Sequence, residues 1–391
     1  MFRTAIPLGH WAGIRVGAHW SVFVVLVLIA DLLASTVLPQ AAPGETTTSY
    51  WVAAGLTAIG FLISLLLHEL SHALVARRYG VGVKRITLWM LGGAAELEDE
   101  PPSPRADLRI AVAGPVASLV IGGTALGTAM LAARTLPPLP VGGLVWLGVS
   151  NLVLAVFNLL PGAPLDGGRI LRALVWQWRG DRVKAVAVSA KAGQVLGALL
   201  GAAGLAQLIL LRQFGGLWLM LLGWFLVFAA QAELTTGLLR ERLEGLRVGD
   251  IMNPAPVIAP GWWTVDAFAT YAAGKSRDRV YPVLSFDGVP IGIVSLGDLA
   301  HLSEKDRRVT RVADVARKEP TVTVADVDAP VTELMSGAFV GHGRDLVLVT
   351  KAAGLAGVVS AEDLARAVEL AALGHAPRAA NPDSAGDVIA G

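Results

Sequence analysis

Residues 61–80 read FLISLLLHELSHALVARRYG, an apolar run that carries His68, Glu69 and His72 and ends beside Arg77 and Arg78. Ionisable groups at membrane depth are expensive and usually mark function. In this H-E-x-x-H spacing the two imidazoles sit one helical turn apart on a shared face, so both can reach a single metal ion. Glu69 lies beside that face, where it can take a proton from an attacking water and return it to a leaving amine. At ordinary residue frequencies about 0.01 chance occurrences of the spacing are expected in a chain of this length. In a soluble helix a surface His-Glu-His cluster would compete with the metal reading. Inside an apolar span it competes poorly.

The composition places that span among others. Of 391 residues, 54% are hydrophobic and 16% charged, and the mean hydropathy is +0.59. That balance suits a multi-span membrane protein rather than a soluble globule. The net charge of +1 points to no nucleic-acid partner, and the lack of cysteine excludes disulfides and thiolate metal sites. The stretch MFRTAIPLGHWAGIRVGAHW has no basic, apolar and cleavage-site pattern, so no removable signal peptide is read there. Six segments can each cross about 30 Å of hydrocarbon, near 18–39, 52–76, 109–133, 142–161, 187–211 and 216–238. Glycines in the third and fifth suit close packing of helices in lipid. Basic residues crowd the N-terminus and the connections after spans two and four, while the alternate connections carry only Arg134 and Arg212. This asymmetry predicts a multi-pass cell-membrane protein with both termini cytoplasmic. Asp31 and Glu233 are expected near span boundaries or hydrogen-bonded within the bundle. His10, His19, His301, His342 and His375 have no partner at ligand spacing.

A catalytic zinc takes three protein ligands and keeps a position for water. The third candidate lies in VFNLLPGAPLDGGRI, residues 156–170, where Asp166 follows the end of span four. Proline and paired glycine break the helix there, which is tolerated at membrane depth only in a cavity or within protein. Asn158, eight residues earlier, could donate to a developing oxyanion. A plain Asp-Gly turn at a membrane boundary is the alternative.

Together, HELSH and NLLPGAPLDGG, on the second and fourth of six spans, resemble the site-2 protease family of intramembrane zinc metalloproteases over roughly residues 10–240. The family's N-P-D-G element is matched by Asn158, Pro161, Asp166 and Gly167. The resemblance implies one zinc on His68, His72 and Asp166, Glu69 as base and Asn158 as a polar assistant. It also implies cleavage of a partner's transmembrane segment after an earlier cut has removed its outer part. AVAGPVASL, residues 111–119, looks like the family's A-G-P segment and reads as a packing device; no PDZ module is visible between spans. KRITLWMLGGAAELE, residues 84–98, alternates like a strand with a Gly-Gly turn. Folded back near the metal, it could offer a strand edge to an unwound substrate; a hairpin without that role fits equally.

The rest of the chain is soluble in character and contains a repeat. IGIVSLGDLAHL, from Ile291, and AGVVSAEDLARA, from Ala356, share G-[IV]-V-S-x-x-D-L, 65 residues apart. This resembles a tandem pair of CBS domains over about 246–373, in which S-x-x-D elements often meet the ribose and phosphates of adenine nucleotides. Ser295, Asp298, Ser360 and Asp363 are the candidates, with helix capping by the two aspartates the competing reading. The expected fold is thus a six-helix membrane domain followed by a soluble α/β CBS pair. The expected divisions are 1–240 for the membrane domain, 241–303 for linker and first CBS motif, 304–375 for the second, and a disordered tail over 376–391. The function implied is zinc-dependent intramembrane proteolysis of membrane-bound regulators, with the lipid bilayer, a membrane-spanning substrate, an adenine nucleotide and a second copy through the CBS domains as partners. A CBS-gated ion transporter or channel, or an inactive scaffold, are the rivals. A transport path has no use for a glutamate beside two histidines and a distant Asp-Gly, and an inactive scaffold is disfavoured because no catalytic position is missing.

Overall fold

The computed structural model describes residues 6–90, 92–98, 100–276, 278–318, 322–335, 346–352 and 354–373. The tail over 376–391, and His342 and His375, lie outside them. The chain divides into two compact units, Met1–Gly237 and Leu238–Gly391.

Among the described residues six helices are long and apolar enough to cross a membrane, and the first unit is built on them, the last running on to Arg242. The first span, α1 (Ser21–Leu32), continues through a π-helical stretch, Leu33–Val37, and one further turn, Leu38–Ala41. It is followed by α2 (Thr47–Arg78), α3 (Pro104–Ala132) and α4 (Pro138–Asn158). A shorter helix, α5 (Asp166–Arg179), precedes the last two spans, α6 (Arg182–Leu210) and α7 (Gly215–Arg242). Several spans begin earlier than their apolar runs do, because polar caps add a turn. Thr46 accepts from the Ser49 amide, Ser103 from Ala106 and Asp181 from Lys184. Helix α2 therefore reaches 32 residues, or about 48 Å.

Of the two isolated acids, Asp31 departs from expectation and Glu233 meets it. Asp31 lies midway along the first span and is exposed, not at its boundary. Glu233 is inside the bundle and ion-paired, its Oε1 3.5 Å from Arg172 Nη1. The glycines of span five pack as expected: a Cβ on Gly197 would lie 2.6 Å from the Gly223 carbonyl oxygen, so α6 and α7 touch backbone to backbone.

The N-terminal residues, read for a leader and for their basic charge but not for strands, form two of them. β1 (Ile6–Trp11) and β2 (Ile14–Ala18) make an antiparallel hairpin across Ala12 and Gly13, both at positive φ. β2 runs parallel to β3 (Val83–Trp89), which pairs antiparallel with β4 (Gly92–Leu97). In the order β1-β2-β3-β4, the last strand is an edge. Ile14, Val16, Ala18, Ile86 and Leu88 face inward and pack on Leu66, Leu70 and Ala73 of α2. The sheet therefore rests on the helix that carries H-E-x-x-H.

In the second unit each repeat forms a three-stranded sheet of identical topology. β5 (Ala259–Pro260) is parallel to β6 (Val280–Leu284), which is antiparallel to β7 (Pro290–Ser295). β8 (Val324–Asp326), β9 (Val347–Lys351) and β10 (Gly354–Val359) repeat the arrangement. The opening segments of the repeats are exchanged. Val248 and Gly249 donate to Ala329 and Val327, while Val312 and Ala313 donate to Trp263 and Gly261. Val248 and Ile251 accordingly sit in the core of the second sheet, and Val312 in that of the first. An interlocked α/β pair results.

If backbone contact sets the α6–α7 distance, replacing Gly197 by Leu should force the two helices apart. Overpacking of this kind costs about 1–3 kcal/mol. Thermal unfolding in detergent should show a lowered midpoint, and an unchanged midpoint would contradict the packing described.

Candidate metal centre

The site begins with α2. His68 and His72 are both buried, at 3% and 5% exposure, and their Nε2 atoms are 3.2 Å apart. Asp166 is the first residue of α5. Pro161, Gly162 and Pro164 end the helical run after Asn158, and the chain turns before α5 starts. That turn is fastened to α6 by Ser189, whose carbonyl accepts from the Ala163 amide and whose hydroxyl donates to the Gly168 carbonyl. Asp166 Oδ2 is thereby placed 3.2 Å from each histidine Nε2.

Three donor atoms of the type zinc prefers thus form a triangle with sides of 3.2 Å. Ligands about 2.0–2.1 Å from a tetrahedral zinc lie about 3.3 Å from one another. The donor set and its spacing fit the metal. Among the described residues this is the one group of three or more histidine or carboxylate side chains so gathered.

The far sides of both imidazoles are also held. His72 Nδ1 donates to the Ile110 carbonyl at 2.6 Å, which fixes the proton there and turns the Nε2 lone pair toward the triangle. His68 Nδ1 is 2.9 Å from the Ser118 hydroxyl, itself fully buried. Between these two contacts a Cβ on Gly114 would fall 2.2 Å from His72 Nε2 and 2.5 Å from His68 Nε2. Only glycine allows α3 so close. The AVAGPVASL segment, expected to be a packing device, therefore lies directly against the imidazoles, with Ile110, Gly114 and Ser118 on one helix face.

Glu69 is half-buried and faces the sheet: a Cβ on Gly93 of β4 would lie 2.2 Å from its Cγ. The hairpin over residues 84–98 folds back against α2, with edge strand β4 at the glutamate. Asn158 is the half-buried last residue of α4, and its side chain makes none of the hydrogen bonds that tie the triangle together. Sequence reasoning missed Ile110, Ser118 and Ser189. The spacing of Ile110, Gly114 and Ser118 at steps of four was the available signal for the first two.

In the second unit Ser295 and Ser360 are N-caps of short helices, Leu296–Ala300 and Ala361–Ala372. Each accepts from the amide of the aspartate three residues on, and Asp298 and Asp363 accept in return from the serine amides. The two S-x-x-D elements are capping boxes. Asp298 Oδ2 also lies 3.4 Å from Arg317 Nε.

Comparison with known proteins agrees with the membrane site. The profile of Peptidase family M50 matches residues 56–136 and 140–200. A Mycobacterium tuberculosis protein named as zinc metalloprotease Rip3 is 40% identical over 370 residues, covering 94% of each chain. The solved structure of the site-2 protease from Methanocaldococcus jannaschii is 29% identical, covers 59% of this chain and 95% of its own, and superposes with a TM-score of 0.40. The CBS domain of a bacterial CNNM/CorC family Mg2+ transporter, solved with ATP, is 20% identical over 35% of this chain and 94% of its own, with a TM-score of 0.30. Identity across nearly the whole length of the Rip3 chain, together with the M50 profile over the spans that bear the triangle, shows that this multi-pass membrane protein belongs to the site-2 protease family and is an intramembrane zinc metalloendopeptidase.

Proposed function

We propose that the enzyme cleaves the transmembrane segments of membrane-bound regulatory proteins, with zinc held by His68, His72 and Asp166 and with Glu69 as the acid–base group. The observation that carries this reading is the triangle of Nε2, Nε2 and Oδ2 atoms, 3.2 Å on each side, inside an apolar bundle. Zinc bound there supplies a Lewis acid and lowers the pKa of water toward neutrality. Glu69, one residue from His68, accepts the proton of the attacking water and passes it to the leaving nitrogen. Asn158 donates to the developing oxyanion. A helical substrate hides its peptide groups in its own hydrogen bonds and must unwind to be cut. The edge of β4, beside Glu69, offers backbone donors and acceptors to such an extended segment.

Glu69→Gln keeps the shape of the side chain and removes the base. Zinc content should stay at that of the unsubstituted protein, while cleavage of a single-span reporter in proteoliposomes falls about 100-fold or more. His72→Ala should lower zinc content as well. Full activity in the Glu69 variant would remove Glu69 as the acid–base group.

We further propose that both termini face the cytoplasm, as the crowding of Arg and Lys in alternate connections supports. Tags in the connection over residues 42–46 should react with impermeant reagents on intact cells, and tags after residue 375 should not. The opposite pattern would invert the assigned topology.

The C-terminal unit we read as a nucleotide-sensing CBS pair that also joins two copies. The doubled S-x-x-D-L unit at matching strand-to-helix junctions supports this reading. A ligand there can alter activity only by different affinity for two states of the enzyme. Calorimetric titration of the full-length protein in detergent with ATP, ADP and AMP should show binding that Asp298→Ala with Asp363→Ala weakens, by about 1.5–3 kcal/mol per site. If none binds at millimolar concentration, the module is a dimerisation or docking domain.

A further inference from the structure

Outside the metal triangle, charged side chains gather where α3, α5 and α7 meet. Asp107, in the first turn of α3, is 1% exposed and accepts two hydrogen bonds from Arg172, from Nε at 2.9 Å and Nη2 at 2.8 Å. Arg169 Nη2 lies 3.5 Å from the same carboxylate, and Arg172 Nη1 lies 3.5 Å from Glu233 of α7. Two cations and two anions balance. A buried pair of this kind adds little stability over apolar residues of the same volume, because desolvation offsets most of the attraction. What the two-pronged Arg–carboxylate contact does provide is a fixed geometry.

That geometry bears on Asp166. As the first residue of α5, its carboxylate goes wherever α5 is placed. Ser189 fastens the start of the helix at Gly168, and Arg172 fastens the same helix to α3 a turn further on. The fastening point is Asp107, three residues before Ile110, whose carbonyl orients His72. Asp107, Ile110, Gly114 and Ser118 follow one another along a single face of α3. One helix face thus refers the third donor and both imidazoles to a common frame.

We propose that Asp107 and Arg172 are positioning residues for Asp166. They hold its helix so that Oδ2 completes the metal triangle, and Glu233 extends the clasp to the last span. The proposal rests on the reading of Asp166 as a metal ligand. Its test uses full-length protein in detergent, with zinc affinity measured by competition against a chromophoric chelator. The visible spectrum of the cobalt-loaded protein serves as a second readout of ligand geometry. Neither side chain touches a ligand, so Arg172→Gln and Asp107→Asn should each weaken zinc binding by about 10-fold, the low end of the loss when a ligand's own hydrogen-bond partner is removed, and should shift the cobalt absorption. Unchanged affinity overturns the proposal, and so does weaker binding with an unchanged cobalt spectrum. If these variants fail to accumulate, Arg172→Lys carries the test, since it keeps the charge and loses the fork. A cobalt spectrum identical to that of the unsubstituted protein then overturns the proposal. Asp166→Asn is the reference: if its spectrum is also unchanged, the ligand assignment itself fails, whereas a shift there without one at Arg172 defeats only the clasp.

Discussion

The close approach of α3 to α2 at Gly114 is the constraint on which the rest of the membrane unit depends. With no side chain at that position, α3 packs so near that a Cβ there would fall 2.2 Å from His72 Nε2 and 2.5 Å from His68 Nε2. The neighbouring turns of α3 then supply the Ile110 carbonyl and the Ser118 hydroxyl to their far nitrogens. A Cβ would collide with Nε2 of both histidines and push the helices apart. Every other part of the site is arranged around this contact. The sheet covers α2 from its other side, the broken run after α4 brings Asp166 across, and Ser189 secures that break.

A catalytic group in lipid faces a problem that soluble enzymes avoid, since each polar atom must find a partner within the protein. Nearly every polar atom around the triangle has one. Even the histidine nitrogens turned away from it are occupied, and the buried carboxylate of Asp107 is bound twice over. Among the described residues of this unit, the buried polar side-chain atoms without a partner are Thr87 Oγ1 and Asn151 Oδ1. Glu69 has the backbone of edge strand β4 beside it at Gly93.

Much of this was legible in the sequence, for identifiable reasons. Apolar runs of spanning length announce themselves, and His68, Glu69 and His72 stand out because ionisable groups in such a run are rare. Asp166 was legible through the Pro- and Gly-rich break that precedes it. The N-terminal hairpin was not, because Gly9, Gly13 and Gly17 interrupt the alternation by which strands are read, and every residue of β1 is exposed. Ile110 acts through a carbonyl that every residue possesses, so only its place one turn before Gly114, and not its side chain, could point to it. Ser118 and His68 lie 50 residues apart, and their contact exists only once α3 has packed. In the second unit the S-x-x-D-L repeat marked both strand-to-helix junctions. The exchange of opening segments between the two sheets left no trace in local pattern, because Val248 and Val312 are equally apolar whichever core they enter.

The central claim is that two imidazoles and one carboxylate, from α2 and α5, hold the metal. X-ray absorption at the zinc edge of the purified protein tests it most directly. The account predicts a first shell of only nitrogen and oxygen at about 2.0–2.1 Å, with the outer-shell scattering of two imidazoles, falling to one in His72→Ala. A spectrum with three imidazoles, or one left unaltered by removal of Asp166, would contradict it.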